Sequence, residues 1–347
     1  MKAENSVLIK NIYYMLAYAY KALRRDGFEK VAAESFDNIH DLFAAILIKG
    51  IEYQIKQGLT KEYVKSCRLQ KTLRGKIDIA GTVGQMTKRS KQLSCVYGVL
   101  TEDNLFNRIL KSAVILLLNH GEVKHENKIA LKKLLPLLSN VCDIKPLEIN
   151  WSLLSYRKGN ASYQMLIYLC RLLFEGMIIS HDGRVKLAKF LDGQHLCDLY
   201  ETFVRAYYER HYPQLNPRAA YVAWALDDKQ DMFFPGMYTD TMLESSDKVL
   251  IIDTKCYRRI LTQQYDKKSV CSANLYQIYA YVKNKTAVTD KGVSGMLLYA
   301  KTDEDITPNV VYSMGGNKIF VRTLNLNCEF EKIKEQLDKI VAENFTA

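Results

Sequence analysis

Residues 237–257 read MYTDTMLESSDKVLIIDTKCY, and the fold turns on how they are read. Val249–Ile252 is a β-branched and aliphatic run that suits a buried strand, and Met237–Leu243 reads as its partner. The polar stretch Glu244-Ser245-Ser246-Asp247-Lys248 suits a hairpin turn. With a four-residue turn over Ser245–Lys248, Glu244 faces Val249, and counting back sets Asp240 opposite Asp253. Alternation places Asp253 and Lys255 on one strand face. Two carboxylates then stand roughly 5 Å apart across the strands, with an ammonium beside them. Such neighbours repel unless a hard cation offsets their charge, and oxygen donors suit Mg²⁺, with Mn²⁺ as the alternative. A structural ion pair on a solvated strand is the competing reading. It is the weaker one, because Asp253 follows four apolar residues and an unpaired buried carboxylate is costly.

Two helical segments extend the pattern. In NLYQIYAYVKN, Gln277 and Tyr281 are spaced i, i+4 and share one face of the helix expected after the second strand. In LCDLYETFVRAYYERHY, Glu201 lies on an amphipathic helix ahead of the hairpin. Asp240 with Asp253-Thr254-Lys255 resembles the PD-(D/E)xK nuclease core, with Gly236 loosely in the proline's place and Pro235 one position earlier. Gln277 and Tyr281 resemble the QxxxY element of its RecB-like branch, and Glu201 stands where many members carry a further acid. Alone, Gln277 and Tyr281 read equally well as helix-packing residues.

The 347 residues are enough for two domains, and 49 Lys and Arg against 38 Asp and Glu leave a net charge of +11. That excess favours a polyanionic partner and so supports a nuclease without proving one. The eight cysteines show neither C-x-x-C nor zinc-ribbon spacing and indicate a reducing cytosol. His181, His195 and Cys197 are the nearest approach to a ligand cluster and lack a fourth member. The longest apolar run, Ala113–Leu118, is too short to cross a bilayer, so a cytoplasmic protein without membrane association is expected. No G-x-G-x-x-G or Walker A motif is present.

Along the chain, residues 6–24 read as a short strand-like run entering a helix, and residues 38–58 as a second helix ended by Gly58. From Lys61 to Tyr97 apolar residues alternate with polar ones between glycines, which reads as short antiparallel strands or fingers rich in Lys and Arg. Asp103 reads as the N-cap of the next helix. A basic helix is expected over Lys128–Leu138, and Trp151–Gly159 reads as a passage between two bodies. Helices follow at Tyr163–Ser180 and Leu196–His211. Beyond the hairpin come strands at Gly295–Tyr299 and Lys318–Leu324 and a closing helix at Glu329–Asn344. The fold class expected is mixed α/β: an N-terminal helical region with a small β-rich finger segment, then a C-terminal PD-(D/E)xK nuclease core.

KNIYYMLAYAY, LRGKIDIAGT, TEDNLFNRILKS, LYETFVRAYY, MYTD with IIDTKCY, and NLYQIYAY occur in that order. The chain therefore resembles the McrC family, the nuclease subunits of McrBC modification-dependent restriction systems, from about Ile9 to Leu326. The resemblance implies a McrB-docking domain at 1–158 and a PD-(D/E)xK endonuclease domain at 159–347. It also implies a hexameric McrB-like AAA+ GTPase ring as partner, stimulated by this chain, so that GTP enters only through the partner. The substrate implied is double-stranded DNA containing methylated cytosine, cut in antiviral defence. Asp240 and Asp253 would be metal ligands, joined by Glu201, while Lys255 would act on the attacking water and the developing charge. Gln277 and Tyr281 would support that site or touch the DNA backbone. Lys65, Arg68, Arg74, Lys76, Lys88 and Arg89 would contact the partner or DNA. Tyr13, Tyr14, Tyr18 and Tyr20 read as core aromatics or interface residues, and Asn104, Asn107 and Arg108 as helix-end groups or a latch. The competing functions are a regulatory subunit of the GTPase with little or no cleavage, and a stand-alone RecB-like nuclease.

Overall fold

The computed structural model describes residues 2–20, 36, 38–88, 91–157, 159–178, 194–227, 233–256, 261–264, 267–301 and 307–345. The chain runs through α1 (Lys2–Ala19), α2 (Ile39–Gln57), β1 (Glu62–Gln70), β2 (Lys76–Ile77), α3 (Ile79–Thr87), β3 (Leu93–Thr101), α4 (Leu105–Asn119), α5 (His125–Leu134) and α6 (Gln164–Ile178). It continues through α7 (Gln194–His211), β4 (Arg218–Val222), β5 (Met237–Glu244), β6 (Lys248–Lys255), β7 (Leu261–Gln264), β8 (Lys267–Val270), α8 (Ser272–Thr286), β9 (Gly292–Ala300), β10 (Val310–Met314), β11 (Asn317–Leu324) and α9 (Phe330–Phe345). The mixed α/β class is the observed one. Among the described residues no helix is long and apolar enough to cross a membrane.

Two compact units emerge, one built from 1–42 and 175–347, the other from 43–174. The expected division at 158/159 therefore does not match the compact units. The reason is α1, whose contacts lie with the C-terminal elements. Asn11 Nδ2 donates to the carbonyls of Leu326 (2.7 Å) and Cys328 (2.8 Å). Tyr14 stacks on Phe330 at 4.2 Å, and Tyr18 packs on Phe203 and Tyr207. Tyr13 and Tyr18 are buried, so these tyrosines are core aromatics here. Trp151 is likewise no passage between bodies: it packs on Phe174, and Arg171 lies over its ring, all within 43–174.

In the larger unit a six-stranded mixed sheet runs in the order β10-β11-β9-β6-β5-β4, with β9 parallel to both β6 and β11. On one face α8 buries Ile278, Tyr281 and Val282 against Val249, Ile251, Val293, Leu297 and Ile319. Gly295 is needed there, because a Cβ would lie 2.7 Å from both Ile278 and Val282. By alternation Leu250 and Ile252, also buried, face the other way. The polar contacts of α7 tie it to that sheet and to α9: Tyr200 OH donates to Leu298 O and Tyr208 OH to Leu337 O. β4, β7, β8 and β10 have no counterpart in the sequence reading.

The smaller unit carries a three-stranded sheet, β1-β3-β2, with α2, α4, α5 and α6. The expected strands over 61–97 are interrupted by α3. Ile79, Val83 and Met86 are spaced four and three apart, a helical period that the glycines concealed. Gly75 does make the turn before β2: its φ is +70°, and a Cβ would lie 2.5 Å from Val96 O. Asn104, not Asp103, caps α4, its side chain accepting from Asn107 N at 3.2 Å. Asp103 is held instead by a two-pronged contact from Arg108 at 2.7 and 2.8 Å. Asn104 and Asn107 both donate to Thr60 O, and Tyr163 OH donates to Asn107 Oδ1, which makes them a latch inside this unit. The basic helix starts earlier than expected, at His125, and becomes a 3₁₀ turn over Leu135–Leu138 around Pro136. The strand-like opening at residue 6 is helical from Lys2, and residues 21–35 lie outside the described set.

Candidate active site

The β5–β6 hairpin forms in the expected register. Glu244 pairs with Val249, and the ladder runs to Thr241 opposite Ile252. Ser245 N donates to Lys248 O (2.9 Å), and the Ser245 hydroxyl accepts from Lys248 N (3.0 Å), which closes the turn. At the next step the pattern changes. On the other side of β5, Arg218 pairs with Met242 but Ala220 pairs with Thr239, so Asp240 and Thr241 together oppose Ala219. A bulge of this kind re-aims a side chain. The paired β5–β6 ladder stops one step short of Asp240 and Asp253. Asp240 Oδ2 accepts hydrogen bonds from both Thr254 N and Thr254 Oγ1, each at 2.7 Å. The carbonyl of Asp240 accepts from Arg205 Nη1 at 2.7 Å.

Arg205 also reaches Glu201 Oε1 at 3.1 Å, one helical turn away on α7. This brings Glu201 to the end of the hairpin, where burial raises its pKa, followed by the charge of Asp240. Asp253 occupies the α8 side of β6 with Lys255, and Lys255 Nζ lies 2.7 Å from Asp253 Oδ2. Lys255 Nζ also donates to Gln277 Oε1 (3.1 Å), and Gln277 Nε2 donates to Tyr281 OH (2.8 Å). The i, i+4 pair on α8 is therefore a relay that orients the lysine. Tyr281 feels both acids: burial, then Asp253 and Asp240, push its phenol upward, against a hydrogen bond from Gln277.

Two carboxylates of this hairpin are driven in opposite directions. Glu244 lies at the turn end, where hydrogen bonds from Arg218 (2.6 Å) and Lys291 (2.7 Å) hold its pKa down at about 2. That is a structural ion pair. Asp253 is 1% exposed, and burial lifts its pKa to about 6 in spite of Lys255, with Asp240 and Glu201 adding to the rise. One lysine does not offset the burial of Asp253 with Asp240 and Glu201 nearby. The donor set fits a hard divalent cation on its own chemistry: all oxygen, excess negative charge, and one carboxylate oxygen of Asp240 already fixed by Thr254.

The other sequence candidates lie elsewhere. Lys65, Arg68, Arg74, Lys76 and Lys88 belong to the smaller unit and are exposed on β1, β2 and the segments around α3. Arg74 lies over the Tyr97 ring at 4.4 Å. Arg89 is outside the described residues. Arg205 and Thr254 were missed by the sequence reading. The i, i+4 spacing of Arg205 from Glu201 was a usable signal, whereas nothing in the sequence marks the bulge that gives Thr254 its role.

Fold and site together define a mixed α/β protein with an acidic, lysine-bearing centre at a hairpin end, chemically suited to a divalent cation. The chain belongs to the McrBC 5-methylcytosine restriction system component family, whose sequence model matches residues 2–300. It is 25% identical over 340 residues to the type IV methyl-directed restriction enzyme EcoKMcrBC of Escherichia coli K12, covering 96% of this chain and 97% of that protein. It is also similar to a chain in a tetradecameric assembly of Thermococcus gammatolerans McrB AAA+ hexamers with bound McrC. That match has TM-score 0.49 and 16% identity, over 96% of this chain and 75% of the other. A chain of the Thermococcus gammatolerans McrBC complex matches at TM-score 0.39 and 19% identity, over 58% of each chain.

Proposed function

We propose that this chain is the endonuclease subunit of its restriction system, a PD-(D/E)xK enzyme that hydrolyses DNA phosphodiester bonds with Mg²⁺, or Mn²⁺ in its place. The observation that carries the reading is the convergence of Asp240, Asp253 and Lys255, with Gln277 and Tyr281 behind the lysine. Asp240 and Asp253 would hold the cation, with Glu201 beside them. When bound, the cation neutralises phosphoryl oxygens and makes water a better nucleophile. In hydrolysis the water oxygen bonds to phosphorus, the phosphorus–oxygen bond to one sugar breaks, and the leaving oxygen takes up a proton. Lys255, fixed between Asp253 and Gln277, places its charge where negative charge develops in that step. Thr254 holds Asp240 from the strand, and Arg205 ties it to the helix that carries Glu201.

Membership of a 5-methylcytosine restriction family and similarity to a methyl-directed restriction enzyme of E. coli support methylcytosine-containing double-stranded DNA as substrate. The resemblance to McrC carries the further proposal that the chain acts in complex with a McrB-like hexameric AAA+ GTPase and stimulates it. A net charge of +11 suits DNA, and eight cysteines outside any disulfide suit the cytoplasm. The test is reconstitution with the partner GTPase, Mg²⁺, GTP and methylated plasmid. Asp240→Ala and Asp253→Ala should each abolish cutting while GTP turnover stays stimulated. Cutting at the wild-type rate in either variant would remove that residue from the centre.

A further inference from the structure

Resting on that nuclease reading, we infer that Tyr221 and Tyr238 form a nucleobase-stacking shelf beside the acidic centre, which takes a base unstacked from its neighbours next to the phosphate that is cut. Tyr221 and Tyr238 are register partners on β4 and β5, with ring centroids 5.4 Å apart at 57°. They are 58% and 68% exposed, whereas the residues flanking Tyr238, Met237 and Thr239, are buried. Tyr238 precedes Asp240 by two positions, just short of the bulge and about 7 Å away along the strand. It alternates with Met237 and so faces away from the core in which Val222 and Met237 pack with α8. β4 is the outer strand of the sheet, so Tyr221 carries the shelf out to its rim. Phe233 and Phe234, just ahead of β5, continue the exposed aromatic surface, and Phe234 rests on Trp224 at 5.4 Å.

A cross-strand aromatic pair helps to hold two strands together, but that purpose is served equally well by a covered pair. Two large rings left open, the nearer one two residues from Asp240, suit a flat, apolar ligand that brings a phosphate with it. A nucleotide is such a ligand. Every base has a π-face, so stacking tolerates any sequence. The base must leave its own stack to reach the tyrosines, so the strand is locally opened where it is cut.

The experiment uses the reconstituted complex on a methylated duplex whose cut position has been mapped. Wild type, Tyr238→Ala, Tyr221→Ala and Tyr238→Phe are compared on that duplex and on one with abasic residues flanking the cut. On intact DNA the alanine variants should raise KM roughly tenfold or more, and Tyr238→Phe should stay near wild type. On abasic DNA wild type should lose a similar factor and the alanine variants little more, because the same contact is then missing from both sides. Stimulated GTP turnover reports that each variant folds and assembles. Unchanged KM in both alanine variants, or losses that multiply independently with the abasic change, would overturn the shelf while the nuclease stands. Absence of cutting by wild type, with GTP turnover intact, would overturn the nuclease reading and the shelf with it.

Discussion

Asp253→Asn should make the metal-free protein more stable as it destroys cutting. Asp253 is buried, and its pKa is raised from the ordinary 3.8 to about 6 by burial and by Asp240 and Glu201. A folded-state pKa above the unfolded one gives stability that is fully present below pH 3.8 and is lost as the pH climbs through 6. Above pH 7 the folded chain bears the whole penalty, which at ~1.4 kcal/mol per pH unit amounts to ~3 kcal/mol. Asparagine does not titrate and keeps the shape of the side chain. Lys255 keeps its contact with Gln277 Oε1. The variant should therefore exceed wild type by up to ~3 kcal/mol at pH 8, with the gain shrinking to ~0.5 kcal/mol at pH 4. For a unit of this size that is on the order of 5–10 °C in melting temperature. The assay is thermal unfolding with EDTA at both pH values, repeated with Mg²⁺. Mg²⁺ should close the gap by stabilising only wild type. A variant less stable than wild type at pH 8, or a difference independent of pH, would refute the account of Asp253 as an under-compensated buried acid.

Further outcomes can be set beside it. Lys255→Ala should lower the cleavage rate by ~10²-fold or more while stimulated GTP turnover holds, and a parallel fall in both would make the lysine structural. Arg205→Ala should free both the Asp240 carbonyl and Glu201 and so weaken Mg²⁺ binding, read by calorimetry on the purified chain, whereas unchanged affinity would reduce Arg205 to a surface ion pair. Asn107→Ala strips Thr60, Glu102 and Tyr163 of a shared partner and should cost ~2–4 kcal/mol in urea unfolding, with a loss below ~0.5 kcal/mol counting against the latch.

The hairpin was legible because its physics is local. Four apolar residues, a five-residue polar stretch and strict alternation leave one register, and Glu244 pairs with Val249 as counted. The relay from Lys255 through Gln277 to Tyr281 was legible for the same reason, since helical spacing alone puts the last two on one face. What the sequence hid depends on partners distant in the chain. Whether α1 sides with one unit or the other is decided by Asn11 reaching Leu326 and Cys328, more than three hundred residues away. The bulge at Asp240 is hidden in the same way. It exists only as a mismatch between β4 and β5, and no residue inside MYTDTMLE announces it. The bulge falls at the residue whose carboxylate is held by Thr254 and whose carbonyl is reached from α7 by Arg205. The β5–β6 ladder ends beside it, at Thr241 opposite Ile252, and on β6 the next residues are Asp253 and the Thr254 and Lys255 that contact the two acids.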